Sequence, residues 1–216
     1  MDAIIKEILN SPKFNFYLEE LNQAAKEESG KRKEFYKLVS VKDRWEFING
    51  EIIKHSPVRN YHSIASDNLF MLINAFAKKN DLGEAKHTDV MVSLTRNDYE
   101  PDIIFFKKER TGGFKRDQIQ FPAPDFVVEV LSPSTEKYDR GVKFTDYALH
   151  GVKEYWMIDP DNEIVEQYLL KQGEFVLSLK SSSGNIKSNV IENFEIPIKA
   201  IFDSKLNLEI ISNFLK

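Results

Sequence analysis

Two periods of apolar residues alternate along the chain, and the points where one gives way to the other mark its elements. Phe14, Leu18 and Leu21 recur every three or four positions in a charged N-terminal stretch, the spacing of an amphipathic helical lead-in. Residues 45–55, WEFINGEIIKH, alternate instead and carry Asn49-Gly50, which predicts a short hairpin. Helical spacing returns over 58–79 with Ile64, Asn68, Met71, Leu72, Ala75 and Phe76, and closes on Lys78, Lys79 and the turn residues 80–83. Strand-like runs follow at 85–94, 102–106 and 125–131; the last, DFVVEVL, is apolar on both faces apart from one glutamate, which suits a central strand. A helix is expected over 137–150, capped by Gly151, then a strand through EYWMID and further strands at 163–170 and 174–180 before a turn at SSSG, 181–184. This order predicts a mixed α/β fold with helices covering a central sheet.

Composition narrows the picture. A chain of 216 residues with 42% hydrophobic positions suits one globular domain with a core that needs no metal or crosslink for stability. Residues 1–43 read as a helical extension and 44–216 as the main domain. The absence of cysteine removes thiol catalysis, cysteine-held zinc and iron–sulfur clusters, and it fits a reducing compartment, so the cytoplasm is the expected location. No apolar run approaches a membrane span, and Asp2, Lys6 and Glu7 interrupt the start where an export signal is apolar. With a net charge of −4 the whole molecule does not attract polyanions, so any nucleic-acid site must be local. There is no phosphate-binding glycine loop, no dinucleotide fingerprint, no nucleophile elbow, and the four histidines lack zinc-hydrolase spacing.

The candidate chemistry starts at Glu129. A carboxylate within a buried strand is expensive unless a cation or donor network compensates it, although alternation also allows it to face water or an arginine. Asp102, just after Pro101, opens the neighbouring strand-like run, where it either caps a turn or converges with Glu129. Two converging carboxylates repel unless a hard divalent cation lies between them, the arrangement Mg²⁺ favours. Lys143, fourteen positions beyond Glu129 with Asp139 and Tyr147 one turn to either side, reaches back toward them or forms an exposed pair with Asp139. Downstream of Asp102, residues 107–116 hold Lys107, Lys108, Arg110, Lys115 and Arg116, with Gly112-Gly113 and Phe114. They read either as a mobile loop that grips a phosphate backbone beside the site or as an ordinary solvated loop.

Together PDII, EVLSPST, YDRG and GVKEYW, with RWEFINGEII upstream, resemble the Uma-two family of restriction endonucleases within the PD-(D/E)XK nuclease superfamily, over roughly residues 44–170. The resemblance implies a restriction-endonuclease-like fold in which Asp102 and Glu129 are the metal-binding acids and Mg²⁺ the ion, with Mn²⁺ a substitute. It also implies DNA as the substrate. The usual lysine two places after the second acid is absent, because Leu131 stands there, so Lys143 on the next helix is the expected replacement. Glu46 adds a third carboxylate or orients water, or else pairs on the surface with Lys54 or Arg44. Glu51 and His62 fall where supporting groups are expected. Cutting both strands takes two sites, so a homodimer is expected. A nuclease fold retained as a binding module without turnover is the alternative, which Leu131 and the acidic charge favour.

Overall fold

The computed structural model describes residues 3–39, 44–55, 57–87 and 90–216. Helices α1 (Ala3–Asn10) and α2 (Phe14–Leu38) precede a hairpin of β1 (Trp45–Ile48) and β2 (Glu51–Lys54). Next come α3 (Asn60–Lys79), β3 (Gly83–His87), β4 (Met91–Ser93), β5 (Asp98–Tyr99), β6 (Ile103–Lys107), the short helix α4 (Lys108–Thr111) and β7 (Gln120–Phe121). The second half runs β8 (Phe126–Val130), α5 (Glu136–Asp139), α6 (Val142–Leu149), β9 (Glu154–Asp159), β10 (Ile164–Lys171) and β11 (Glu174–Ser181). It closes with β12 (Asn185–Lys187), β13 (Glu195–Pro197), a 3₁₀ turn at Ile198–Ile201 and α7 (Ser204–Phe214).

Six strands form the central sheet in the order β11-β10-β9-β8-β6-β3, with β8 and β9 parallel and the other pairs antiparallel. A parallel pair needs a crossover, which α5 and α6 supply. One face of this sheet packs against α3, the 3₁₀ turn and α7; the other packs against α6 and a smaller sheet of order β2-β1-β5-β4-β7. The expected fold class therefore holds. Asn49 at φ +50 and Gly50 at φ +84 give the left-handed turn that joins β1 to β2, and Gly151 at φ +78 follows α6 as expected. Among the described residues no helix is long and apolar enough to cross a membrane.

Three expectations change. The run 85–94 is not one strand: β3 joins the central sheet and β4 the smaller one, while 88–89 lie outside the described residues. On α3, Asn68 and Leu72 are buried, but Ile64 and Met71 are more than a third exposed, because the buried stripe runs through Ala65, Leu69, Leu72 and Ile73. The helix expected over 137–150 breaks at Gly141, with φ −111° and ψ −102°, and a Cβ there would sit 2.7 Å from the Lys137 carbonyl oxygen. Only glycine fits that approach, and the break lets α6 start afresh at Val142, one residue before Lys143.

The N-terminal stripe is also differently used. Leu18 and Leu21 are exposed, whereas further along α2 Phe35 is buried against Phe47 and Met91. Arg32 grips the fully buried Asp98 with Nε at 2.6 Å and one terminal nitrogen at 2.8 Å, and Tyr36 donates its hydroxyl to the same carboxylate at 2.8 Å. The last turns of α2 are thus bolted to the smaller sheet.

Candidate active site

Strand alternation decides which side chains meet. Phe126, Val128 and Val130 of β8 join the core under α3, while Val127 and Leu131 join the core under α6, so Glu129 points to the α6 side. In β6, Ile103 and Phe105 face α3 and Ile104 and Phe106 face α6, which puts Asp102, at the head of the strand, on the side of Glu129. The antiparallel register pairs Ile103 with Val128. One step further, Asp102 and Glu129 become direct cross-strand neighbours at the end of the sheet. The Val130 N–H donates to Asp102 Oδ2 at 2.8 Å, so Asp102 bonds across the sheet rather than capping a turn.

Lys143 descends on this pair from α6 and is 1% exposed. Its Nζ lies 2.9 Å from Glu46 Oε1, 3.1 Å from Glu129 Oε1 and 3.0 Å from Asp139 Oδ1. The reading of Asp139 and Lys143 as an exposed pair is therefore corrected, since both are buried. One turn on, Tyr147 donates its hydroxyl to Glu129 Oε1 at 3.2 Å. Glu46 reaches in from β1; its Oε1 accepts the Glu100 N–H at 2.9 Å, and its Oε2 lies 3.1 Å from His55 Nε2. The surface reading of Glu46 is corrected too, because it is fully buried.

Three carboxylates around one ammonium cannot all ionise at ordinary cost. Burial drives Glu129 well above the usual carboxylate range; Lys143 pulls it back, while Asp139, Asp102 and Glu46 push it further. Asp139 is raised for the same reason, burial outweighing the pull of Lys143. Glu46 goes the other way: burial raises it, but Lys143 and His55 together prevail and hold it at about 2. Burial disfavours the Lys143 ammonium, yet Asp139, Glu129 and Glu46 outweigh it and keep Lys143 charged.

Glu46 carries a pH prediction. Its folded value lies below the ordinary 4.5, so its contribution is complete above pH 4.5 and is lost as pH falls toward 2. Wild type is expected to exceed Glu46→Gln in stability by about 3 kcal/mol at pH 7, with the gap closing by about pH 2. Urea titrations at both pH values check this; curves that stay equally far apart refute it.

A cleft of about 210 Å³ opens onto the group, lined by Asp102, Glu129 and Lys143 with Glu100, Arg44, Arg59, His55 and His62. His62 Nε2 is 3.6 Å from Asp102 Oδ2, whereas Glu51 is exposed on β2 and does not line the cleft. The basic stretch 107–116 is placed elsewhere. Its first residue, Lys107, ends β6 five residues and about 17 Å along the strand from Asp102, and none of the stretch lines the cleft. Lys108 pairs with Asp81, and Arg110 lies 3.1 Å from Asp125. Phe114 packs edge-on against Phe106 and Phe121 rather than standing free to stack. His55, Glu100, Arg44 and Arg59 line the cleft and Asp139 holds Lys143 from behind it, none of them singled out for the site by the sequence alone; Asp139, four positions before Lys143, had the clearest signal.

Comparison with known proteins agrees with this architecture. A protein of Anabaena variabilis, described as a putative nuclease belonging to DUF820, has a crystal structure that superposes with a TM-score of 0.68 at 25% identity, covering 81% of this chain and 97% of that one. The likeness identifies the fold as restriction-endonuclease-like. An uncharacterised Synechocystis protein, slr1290, is 31% identical over 133 residues, 59% of this chain; the match spans 66% of that relative, just under two thirds. The sequence profile of the Uma2 family, described as "putative restriction endonuclease", matches residues 32–199. Since that match covers well over half of the sequence, the chain belongs to the Uma2 family.

Proposed function

We propose that the chain is a metal-dependent DNA endonuclease that hydrolyses phosphodiester bonds in the cleft lined by Asp102, Glu129 and Lys143. The observation that carries this reading is the meeting of two cross-strand carboxylates with one buried ammonium at the open end of the sheet. Asp102 and Glu129 present hard oxygen donors at adjacent positions, the set that Mg²⁺ takes with water completing its shell, and Mn²⁺ accepts the same donors. Asp102, Glu129 and Glu100 line the cleft against one lysine ammonium, an excess of carboxylates that gives a cation reason to enter. Among the described residues no group of three or more histidine or acidic side chains is arranged to hold a metal, which leaves two carboxylates and water as the fitting shell. When bound, such an ion polarises a phosphoryl oxygen and makes the attacking water more acidic.

The rest falls to the chain itself. Lys143, fixed by three carboxylates, brings an ammonium from α6 to the place that a lysine at position 131 serves in the superfamily pattern. There it neutralises charge developing on the phosphoryl oxygen. Glu46 holds that ammonium from the opposite sheet, and a pair of chains supplies one site for each DNA strand. Incubation of plasmid DNA with the purified protein is expected to give Mg²⁺-dependent cleavage that EDTA stops and that folded Asp102→Asn lacks. No cleavage in Mg²⁺ or Mn²⁺, together with no thermal shift from either ion, would refute the enzyme reading in favour of a non-catalytic binding module.

A further inference from the structure

The floor of the cleft is acidic, yet the proposed substrate is a polyanion. A DNA phosphate approaching Glu100, Asp102 and Glu129, which line the cleft, meets repulsion that the single Lys143 ammonium does not offset. Positive charge must come from the rim, and two arginines stand there.

Arg44 immediately precedes β1, where its carbonyl accepts the His55 N–H at 3.0 Å and fixes the end of the hairpin. One of its terminal nitrogens is 3.8 Å from Asp102 Oδ1, beyond hydrogen-bond distance. Its Nε is buried and has no hydrogen-bond partner among the described residues. A buried guanidinium donor without an acceptor is uncommon and costly, and it marks a place where an acceptor arrives with a ligand. Arg59, ahead of α3, lines the same cleft. It donates to the Tyr61 hydroxyl at 3.0 Å, and Tyr61 in turn donates to Asp161 Oδ2 at 3.1 Å. That tether orients the guanidinium without neutralising it, for no carboxylate lies within ion-pair distance of Arg59 among the described residues.

Resting on the nuclease reading of the same cleft, we propose that Arg44 and Arg59 form the subsite that holds the backbone phosphate of the DNA strand entering it. The guanidinium fork matches two phosphate oxygens at once, which an ammonium does not, and a phosphate oxygen satisfies the Arg44 Nε. The basic stretch 107–116 contributes no residue to the lining of this cleft.

Fluorescence anisotropy with a short labelled duplex in EDTA separates binding from cleavage. Arg44→Gln and Arg59→Gln are each expected to weaken binding about tenfold and to reduce the salt slope of log K by about one. Lys171→Gln, an equal loss of charge at the opposite end of the sheet, stays within about twofold of wild type. Arg44→Lys keeps the charge but loses the fork, so it retains the salt slope while binding more weakly. The exposed Arg59 leaves the fold unaffected on substitution, so its variant stands even if Arg44→Gln unfolds. The proposal is overturned if the arginine variants bind like wild type or no worse than Lys171→Gln, or if wild type binds no DNA. Binding that depends on both arginines without any cleavage in Mg²⁺ refutes the nuclease reading and leaves the subsite in place.

Discussion

Replacing Lys143 with methionine is expected to abolish Mg²⁺-dependent cleavage and to lower the unfolding free energy by about 3–5 kcal/mol at pH 7, the cost of breaking a buried ion pair from one side. Methionine is close to lysine in volume, so packing against Tyr99 and Tyr147 survives and the loss isolates the charge. Glu46, Glu129 and Asp139 then face one another without the ammonium that each now meets within 3.1 Å. Glu129 and Asp139 are then raised further and Glu46 loses the cation that helps hold it low, so in the variant the penalty is full at neutral pH and eases as the carboxylates take up protons in acid. Urea unfolding at pH 8 and pH 5 should therefore show the gap to wild type narrowing at the lower pH. A flat gap below about 1 kcal/mol would mean that the carboxylates do not depend on this cation.

Glu154→Ala is expected to cost a similar 3–5 kcal/mol in unfolding free energy, through hydrogen bonds alone. Glu154 opens β9, is fully buried, and has no lysine or arginine as a hydrogen-bond partner among the described residues. Its Oε1 accepts from Trp156 Nε1 at 2.7 Å and Gln167 Nε2 at 2.6 Å. Its Oε2 accepts from the Ser188 hydroxyl at 2.7 Å and from the N–H groups of Asn189 and Val190 at 2.9 and 3.0 Å. Truncation removes an acceptor from five donors at once; the Val190 N–H keeps the Ser188 hydroxyl at 3.1 Å, and each of the other four costs about 1–3 kcal/mol if left dry, with water entering the vacated space to recover part of the total. Glu154→Gln tests the account, since an amide nitrogen must now face at least one donor, and about half of the loss should appear. A silent Glu154→Gln would show that the network tolerates a donor there.

The sequence exposed the central sheet because alternation and apolar runs are local. DFVVEVL reads as a buried strand whatever its neighbours are, and counting by twos assigns Glu129 a face. The convergence with Asp102 then follows from one antiparallel register, which has no local signal but few alternatives once both strands are adjacent. Lys143 was legible from its distance along a helix that must cross back over the sheet. What escaped depended on tertiary context. The division of 85–94 between two sheets follows from which strand edges are free, and the burial of Asp139 follows from the helix break at Gly141, a steric matter between Gly141 and Lys137. Phe114 looked available because it stood among charges and glycines; two other phenylalanines, Phe106 and Phe121, claim its ring. Arg44 and Arg59 carry no spacing signal, since only the closing of the hairpin against α3 brings them to one rim.

The two halves of the Lys143 clamp differ in how early the chain can assemble them. Glu129 and Lys143 close a loop of 14 residues, within reach of the β8–α6 unit alone. Glu46 arrives from almost a hundred residues away on the smaller sheet, and the longer closure costs about 1.7 kcal/mol more in chain entropy. The short-range contact is thus the natural one to form first, and low contact order favours it kinetically. A nascent β8–α6 unit carries an ammonium with its nearby carboxylates still open to water, and docking of the β1–β2 hairpin is the step that dehydrates them. Folding and completion of the cleft are in this sense the same event.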